Sequence, residues 1–242
     1  MQGQEAPLFK TNLDTNFLKL IAVVTMIIDH VGTEFYPDEI GWRLIGRLAF
    51  PLFCYCMTVG MLYTRDIKRY VFRVGLFAIL SQPFYVFAFN QNDFWGNLTN
   101  WNIFFTLFFS LIGIWGFYKK GWGLLLFALM ILVLSFWNFD YNITGLIYML
   151  IFYCCRRCPK LGFWIILVVM LLPSVTANLW GGAYFTIGSV GFNMGVTTIF
   201  ALPFIYLHTN VHPKVNKYFF YGIYPLHLGI IGLVRLLIGP GA

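Results

Sequence analysis

NFLKLIAVVTMIIDHVGTEF, Asn16 to Phe35, is an apolar run broken by Lys19 near one end and by Asp29, His30 and Glu34 near the other. About 20 helical residues rise roughly 30 Å, the thickness of a bilayer's hydrocarbon core, so the run reads as a membrane-spanning helix. Similar runs continue along the chain: Trp42 to Tyr63, Tyr70 to Phe89, Trp101 to Tyr118, Gly121 to Phe136, Ile143 to Cys155, Leu161 to Asn178, Thr186 to Leu207 and Lys217 to Ile238. Together they predict an all-α polytopic bundle of about nine transmembrane helices. The fifth and sixth are short, as in a re-entrant segment or a thinned bilayer.

Composition agrees. Of 242 residues, 60% are hydrophobic and only 10% charged, against roughly 25% charged in soluble domains. The opening Met1 to Thr15 is polar and contains Pro7, unlike a secretory signal. Residues 1–15 read as a short cytoplasmic tail and 16–239 as one transmembrane domain without an internal repeat.

The net charge of +7 is concentrated between the apolar runs, which points to topology rather than to nucleic acid. Arg65, Lys68 and Arg69, then Lys119 and Lys120, then Arg156, Arg157 and Lys160, then Lys214 and Lys217 occupy every second gap. The positive-inside rule makes those gaps cytoplasmic, and with them the N-terminus.

Five cysteines give no disulfide framework. Cys154, Cys155 and Cys158, beside Arg156 and Arg157, suit either a modification site or inert small hydrophobes at a membrane edge. No metal site is expected: His208 and His212 fall in a loop with Pro213 and read as solvated.

Ionisable groups inside spans are costly and point to function. Lys19 and His30, eleven residues apart, share one helix face about 16 Å apart along the axis. Lys19 is either a snorkelling anchor or part of a site; Asp29 and His30 are either a fraying helix end or functional. Arg43 and Arg47 lie one turn apart on the side opposite the basic gaps, so Asp29, Glu34 or a substrate anion is expected to hold them. Arg65, Arg69 and Arg73 form a stripe at i, i+4 and i+8 suited to anionic lipid or to the phosphates of a cofactor. His227 lies near mid-span after Tyr224 and Pro225; it reads either as an acid or base or as a partner for carbonyls that the proline frees. Asp140 is either a turn former or part of a site lining.

These residues resemble the TraX family, named for acetylation of conjugative pilin, within the acyltransferase-3-like transmembrane group. The likeness runs through Leu18-Lys19, Asp29-His30-Val31-Gly32, Arg43-Leu-Ile-Gly-Arg47-Leu-Ala-Phe-Pro51-Leu-Phe53, Ser81-Gln82-Pro83-Phe84, Asp140-Tyr-Asn-Ile-Thr-Gly145 and Lys217-Tyr-Phe-Phe-Tyr221 through Tyr224-Pro225-Leu226-His227. In the broader group a basic residue and a histidine separated by ten positions mark the first helix and its catalytic imidazole, a pattern that falls here on Lys19 and His30. The group's paired arginines usually have two residues between them; Arg43 and Arg47 have three.

The resemblance implies a bacterial cytoplasmic-membrane enzyme that moves an acetyl group from acetyl-CoA to a peptide (pilin-like) or surface-glycan acceptor. His30, Asp29, Arg43, Arg47 and His227 would form its catalytic site, while Lys19, Arg65, Arg69 and Arg73 would bind the donor. The rival reading from the residues is a transporter or flippase for an anionic or amphipathic solute, without thioester chemistry. A structural subunit whose buried charges pair with a partner chain is a third.

Overall fold

The computed structural model describes residues 9–137, 139–180, 185–187 and 190–239. It is a helical bundle. In chain order the helices are α1 (Thr15–Phe35), α2 (Ile40–Gly46), α3 (Ala49–Tyr63), α4 (Ile67–Phe89), α5 (Ile103–Lys119), α6 (Gly123–Phe136), α7 (Thr144–Cys154), α8 (Pro159–Trp180), α9 (Leu202–Tyr206) and α10 (Lys217–Ile238). Four segments are long and apolar enough to cross a membrane: α1, the α2–α3 stretch, α4 and α10. α5 to α7 and the first part of α8 are shorter apolar helices.

The expected eighth span is not a helix along its length. Its residues form an antiparallel hairpin of β1 (Phe185–Ile187) and β2 (Val190–Phe192), a 3-10 helix (Met194–Ala201) and the short α9. Asn193, Gly195 and Pro203 within a β-branched sequence disfavour a continuous α-helix. The second span likewise breaks at Arg47–Leu48 into α2 and α3, and Arg65 lies before the start of α4, which shortens the expected arginine stripe.

Helix starts follow local chemistry. Asp14, Asp66, Asn102 and Asn216 cap α1, α4, α5 and α10, each accepting a backbone N–H of the first turn with its side-chain oxygen. Asp14 also accepts the backbone N–H groups of Val211 and His212 at 3.0 and 2.9 Å. Asn12 donates to the Phe204 carbonyl and to Thr209. Asn12 and Asp14 are thereby buried against the chain's last third, Phe9 and Thr11 pack on Tyr55, and Lys10 and Leu13 stay exposed. His208 is exposed; His212, exposed at its ring, is tied to Asp14 through its backbone.

Three long helices run side by side in the same direction. Lys19, His30 and Glu34 of α1 meet Phe220, His227 and Arg235 of α10 in turn. Phe77 of α4 stacks on Tyr221, and Gln91, just after α4, donates to the Gly232 carbonyl. α5 returns antiparallel to α4, fixed by Gln82. The Gln82 amide donates to the carbonyls of Leu98 and Asn100, and its oxygen accepts from the Asn102 backbone and side chain. That network accounts for Gln82 in an apolar helix: it holds the α4–α5 turn.

Basic connections collect at one end of the bundle. Arg65 and Lys119 line one small cavity there, the Lys10 backbone bonds Arg156, and Asn16 donates to the Pro213 carbonyl.

Candidate active site

At the other end, α1, α2, the start of α3, α4 and the α6–α7 loop enclose a cavity of about 410 Å³. Helical spacing sets its first wall: Asp29 and Thr33, then His30 and Glu34, are i, i+4 pairs on α1. Thr33 Oγ1 donates to the Asp29 carbonyl at 2.7 Å and accepts from Arg43 Nη1. Arg43 Nε lies 3.7 Å from Asp29 Oδ1. Gly46 permits this approach, because a Cβ there would collide with the Asp29 carboxylate.

Arg47, the C-cap of α2, donates to the Tyr141 hydroxyl at 2.7 Å, and the Tyr141 ring stacks on Phe50 at 3.8 Å. Arg47 Nε and Asp29 Oδ1 are buried without a hydrogen-bond partner. Asp140, in the loop before α7, lines the cavity with an exposed side chain. The protein around the cavity desolvates its carboxyl in part and pushes it up to about 6, with Arg47 opposing and Asp29 reinforcing the shift.

His30 reaches the same cavity from α1. Its Nδ1 lies 2.7 Å from Nε2 of His227, with the two rings within 9° of parallel. His227 is buried, absent from the cavity lining, and holds the Ile223 carbonyl through Nδ1 at 2.8 Å. It does not serve the Tyr221 carbonyl, which is the one left without an i+4 N–H by Pro225. α10 continues through that proline.

A second cavity of about 220 Å³ faces the basic end. It is lined by Lys19, Arg73 and Lys217 around the apolar side chains of Met57, Phe104 and Leu107. Arg73 Nε is buried with no hydrogen-bond partner. Phe53 lines both this cavity and the His30 cavity. A third cavity of about 430 Å³ shares Arg43, Arg47, Asp140 and Tyr141 with the first and adds Asn142, Thr144 and Thr198.

The structure thus gathers Asp29, His30, Arg43 and Arg47 at one cavity, with His227 directly behind His30. Lys19 and Arg73 meet at another. Arg65 and Arg69 do not join them: Arg65 lines a separate small cavity, and Arg69 is exposed and paired with Asp66 at 3.0 Å. Glu34 is held by Arg235 at 2.8 Å rather than by Arg43 or Arg47.

No site role was read from the sequence for Tyr85, Tyr141, Lys217 or Arg235. A tyrosine in an apolar run gives no signal until its neighbour is known, and Lys217 looks like an ordinary basic flank. Arg235 lies eight residues beyond His227 as Glu34 lies four beyond His30, which is informative only once α1 and α10 are seen to be parallel neighbours. Among the described residues, no three His, Cys, Asp or Glu side chains gather to hold a metal.

The TraX protein family model matches residues 14–235, and the chain belongs to that family. It is 34% identical over 109 residues to a probable fimbrial assembly protein FimC, serogroup H1, of Dichelobacter nodosus, covering 40% of this chain and 43% of that one. It is 48% identical over 46 residues to an uncharacterized protein of Rickettsia prowazekii (strain Madrid E), covering 19% of this chain and 18% of the relative. These matches span less than half of each relative's length. No solved structure matches the chain.

Proposed function

We propose that this chain is a membrane-bound acyltransferase that moves an acetyl group from acetyl-CoA to an amine or hydroxyl acceptor. The observation that carries the reading is the cavity in which His30 meets two guanidinium groups, one with a buried, unpartnered Nε. A ring nitrogen of His30 takes the proton of the acceptor N–H or O–H as that atom attacks the thioester carbonyl. Arg43 and Arg47 stabilise the oxyanion as the carbon–sulfur bond weakens. The thiolate leaves and recovers the proton from His30, so the products are acylated acceptor and free CoA thiol.

We assign the donor's phosphates to the second cavity. Lys19, Arg73 and Lys217 suit them, the unpartnered Arg73 Nε offers a donor, and Phe53 stands where the thioester arm passes toward His30. Arg65 and Arg69 stay outside this role. We place the basic end in the cytoplasm of a bacterial cytoplasmic membrane by the positive-inside rule. The acceptor then enters through the polar third cavity at the far end. The family's name for pilin acetylation and the fimbrial relative favour a pilin-like peptide over a surface glycan.

A transporter of an anionic amphiphile would use the same chain of cavities without releasing a thiol. Purified protein in lipid vesicles, given acetyl-CoA and membrane extract, separates the two. Stoichiometric thiol release with a 42 Da gain on an extract component, the mass of an acetyl group replacing hydrogen, is expected on general chemical grounds. Movement of solute with no thiol released overturns the proposal.

A further inference from the structure

The contact behind His30 assigns a role to His227 that rests on reading His30 as the base. We infer that His227 is a positioning residue: it locks His30 in the Nδ1–H tautomer, so that Nε2 presents its lone pair to the cavity. The carbonyl of Ile223 can only accept, so His227 Nδ1, 2.8 Å from it, carries a proton. In a neutral His227 the other nitrogen, Nε2, is then an acceptor. His30 Nδ1, 2.7 Å away, must donate to it. Only Nε2 of His30 is left for a substrate proton.

The opposite arrangements are disfavoured. An unprotonated His227 Nδ1 would set a lone pair against the Ile223 oxygen. A doubly protonated His227 would bury a cation between Tyr224 and His30, behind a cavity that already holds two arginines. His227 is buried and outside the cavity lining, so it acts through His30 and does not reach the substrate. When His30 takes a proton at Nε2, the His227 nitrogen accepts from the resulting imidazolium and shares its charge, with no carboxylate in the pair.

Four histidines make the test practicable. Protein with ¹⁵N-labelled histidine and the substitutions His208→Gln and His212→Gln leaves two imidazoles, whose ring-nitrogen spectra report each tautomer in lipid. The expected spectrum shows both rings protonated at Nδ1 and bare at Nε2. His227→Met removes both of its hydrogen bonds while filling the space, and should return His30 toward the Nε2–H form that free imidazole side chains prefer in water. The same change should lower kcat about ten- to a hundred-fold at unchanged KM for acetyl-CoA, as loss of an outer partner of a working imidazole does. In a His30→Gln background it should lower kcat no further. A spectrum of the His208→Gln, His212→Gln protein with either remaining ring protonated at Nε2 overturns the inference, and needs no change at His30 or His227. So does a His227→Met effect that persists in full without His30. Absence of thiol release by the parent protein would strike the acyltransferase reading alone, since the tautomer is read independently of turnover.

Discussion

The α5–α6 pair and the α1–α4–α10 trio pack by opposite means. In α5 and α6 the interface is apolar and close: a Cβ on Gly116 would lie 2.6 Å from the Gly123 carbonyl, and α6 has no ionisable side chain. In the trio, facing residues include His30 with His227, Glu34 with Arg235, and Lys19 beside Phe220. Lipid tails compete poorly with close backbone contact, so small residues suffice for adhesion. Buried ionisable groups add little adhesion and need a partner each. The first interface therefore reads as scaffold and the second as machinery.

Substitution can break that contrast. The largest effect is expected at His30. His30→Gln keeps a hydrogen-bonding side chain but removes a base, and should lower the rate of acyl transfer about a hundred- to ten-thousand-fold with the thermal midpoint nearly unchanged. Retention of more than about a tenth of the rate would return His30 to a structural role. Arg73→Ala comes next. Loss of a charge-assisted hydrogen bond of about 1.5–3 kcal/mol should raise KM for acetyl-CoA about ten- to a hundred-fold and leave kcat near its parent value. Kinetics with a large fall in kcat and constant KM would remove Arg73 from donor binding.

On the scaffold side, Gly116→Leu should destabilise by about 1–3 kcal/mol through overpacking, with KM unaffected in the protein that remains folded. Unfolding in detergent measures it, and a loss of activity without a loss of stability would show that α5–α6 is not mere scaffold. The smallest effect is a slope. Asp140 has a folded-state carboxyl near 6 against an ordinary 3.8, so the folded state holds that proton more tightly and stability falls as pH rises from about 4 to 6. Asp140→Asn should flatten the thermal midpoint over that window. An unchanged slope would place the titration elsewhere.

Much of this was legible from residues alone. The last span, Lys217 to Ile238, coincides with α10, because Asn216 is a ready cap and the run stays largely apolar to Ile238. Asp29, His30, Arg43 and Arg47 stood out because membranes tolerate such residues only with a partner. The eighth span misled because hydropathy counts apolar atoms and ignores backbone: Thr186 to Leu207 is apolar enough, yet forms a hairpin strand, a 3-10 helix and a helix of five residues. The stripe of Arg65, Arg69 and Arg73 failed for a related reason. Spacing places residues on one face only if all of them are helical, and α4 begins at Ile67. The pairing of His30 with His227 was beyond the sequence because it depends on two distant helices being parallel neighbours.

That pairing sets the order in which the protein can be assembled. His227 leaves the ribosome 197 residues after His30, and Arg235 follows later still. Until then α1 must be inserted with His30 and Glu34 lacking the side chains that will hold them. Ionisable groups within a span are costly until they find a partner, which keeps a nascent α1 shallow or in the care of the insertion machinery. Synthesis of α10 then draws it to its final depth, so a chain halted before α10 should be a poor membrane protein and an early target for quality-control proteolysis.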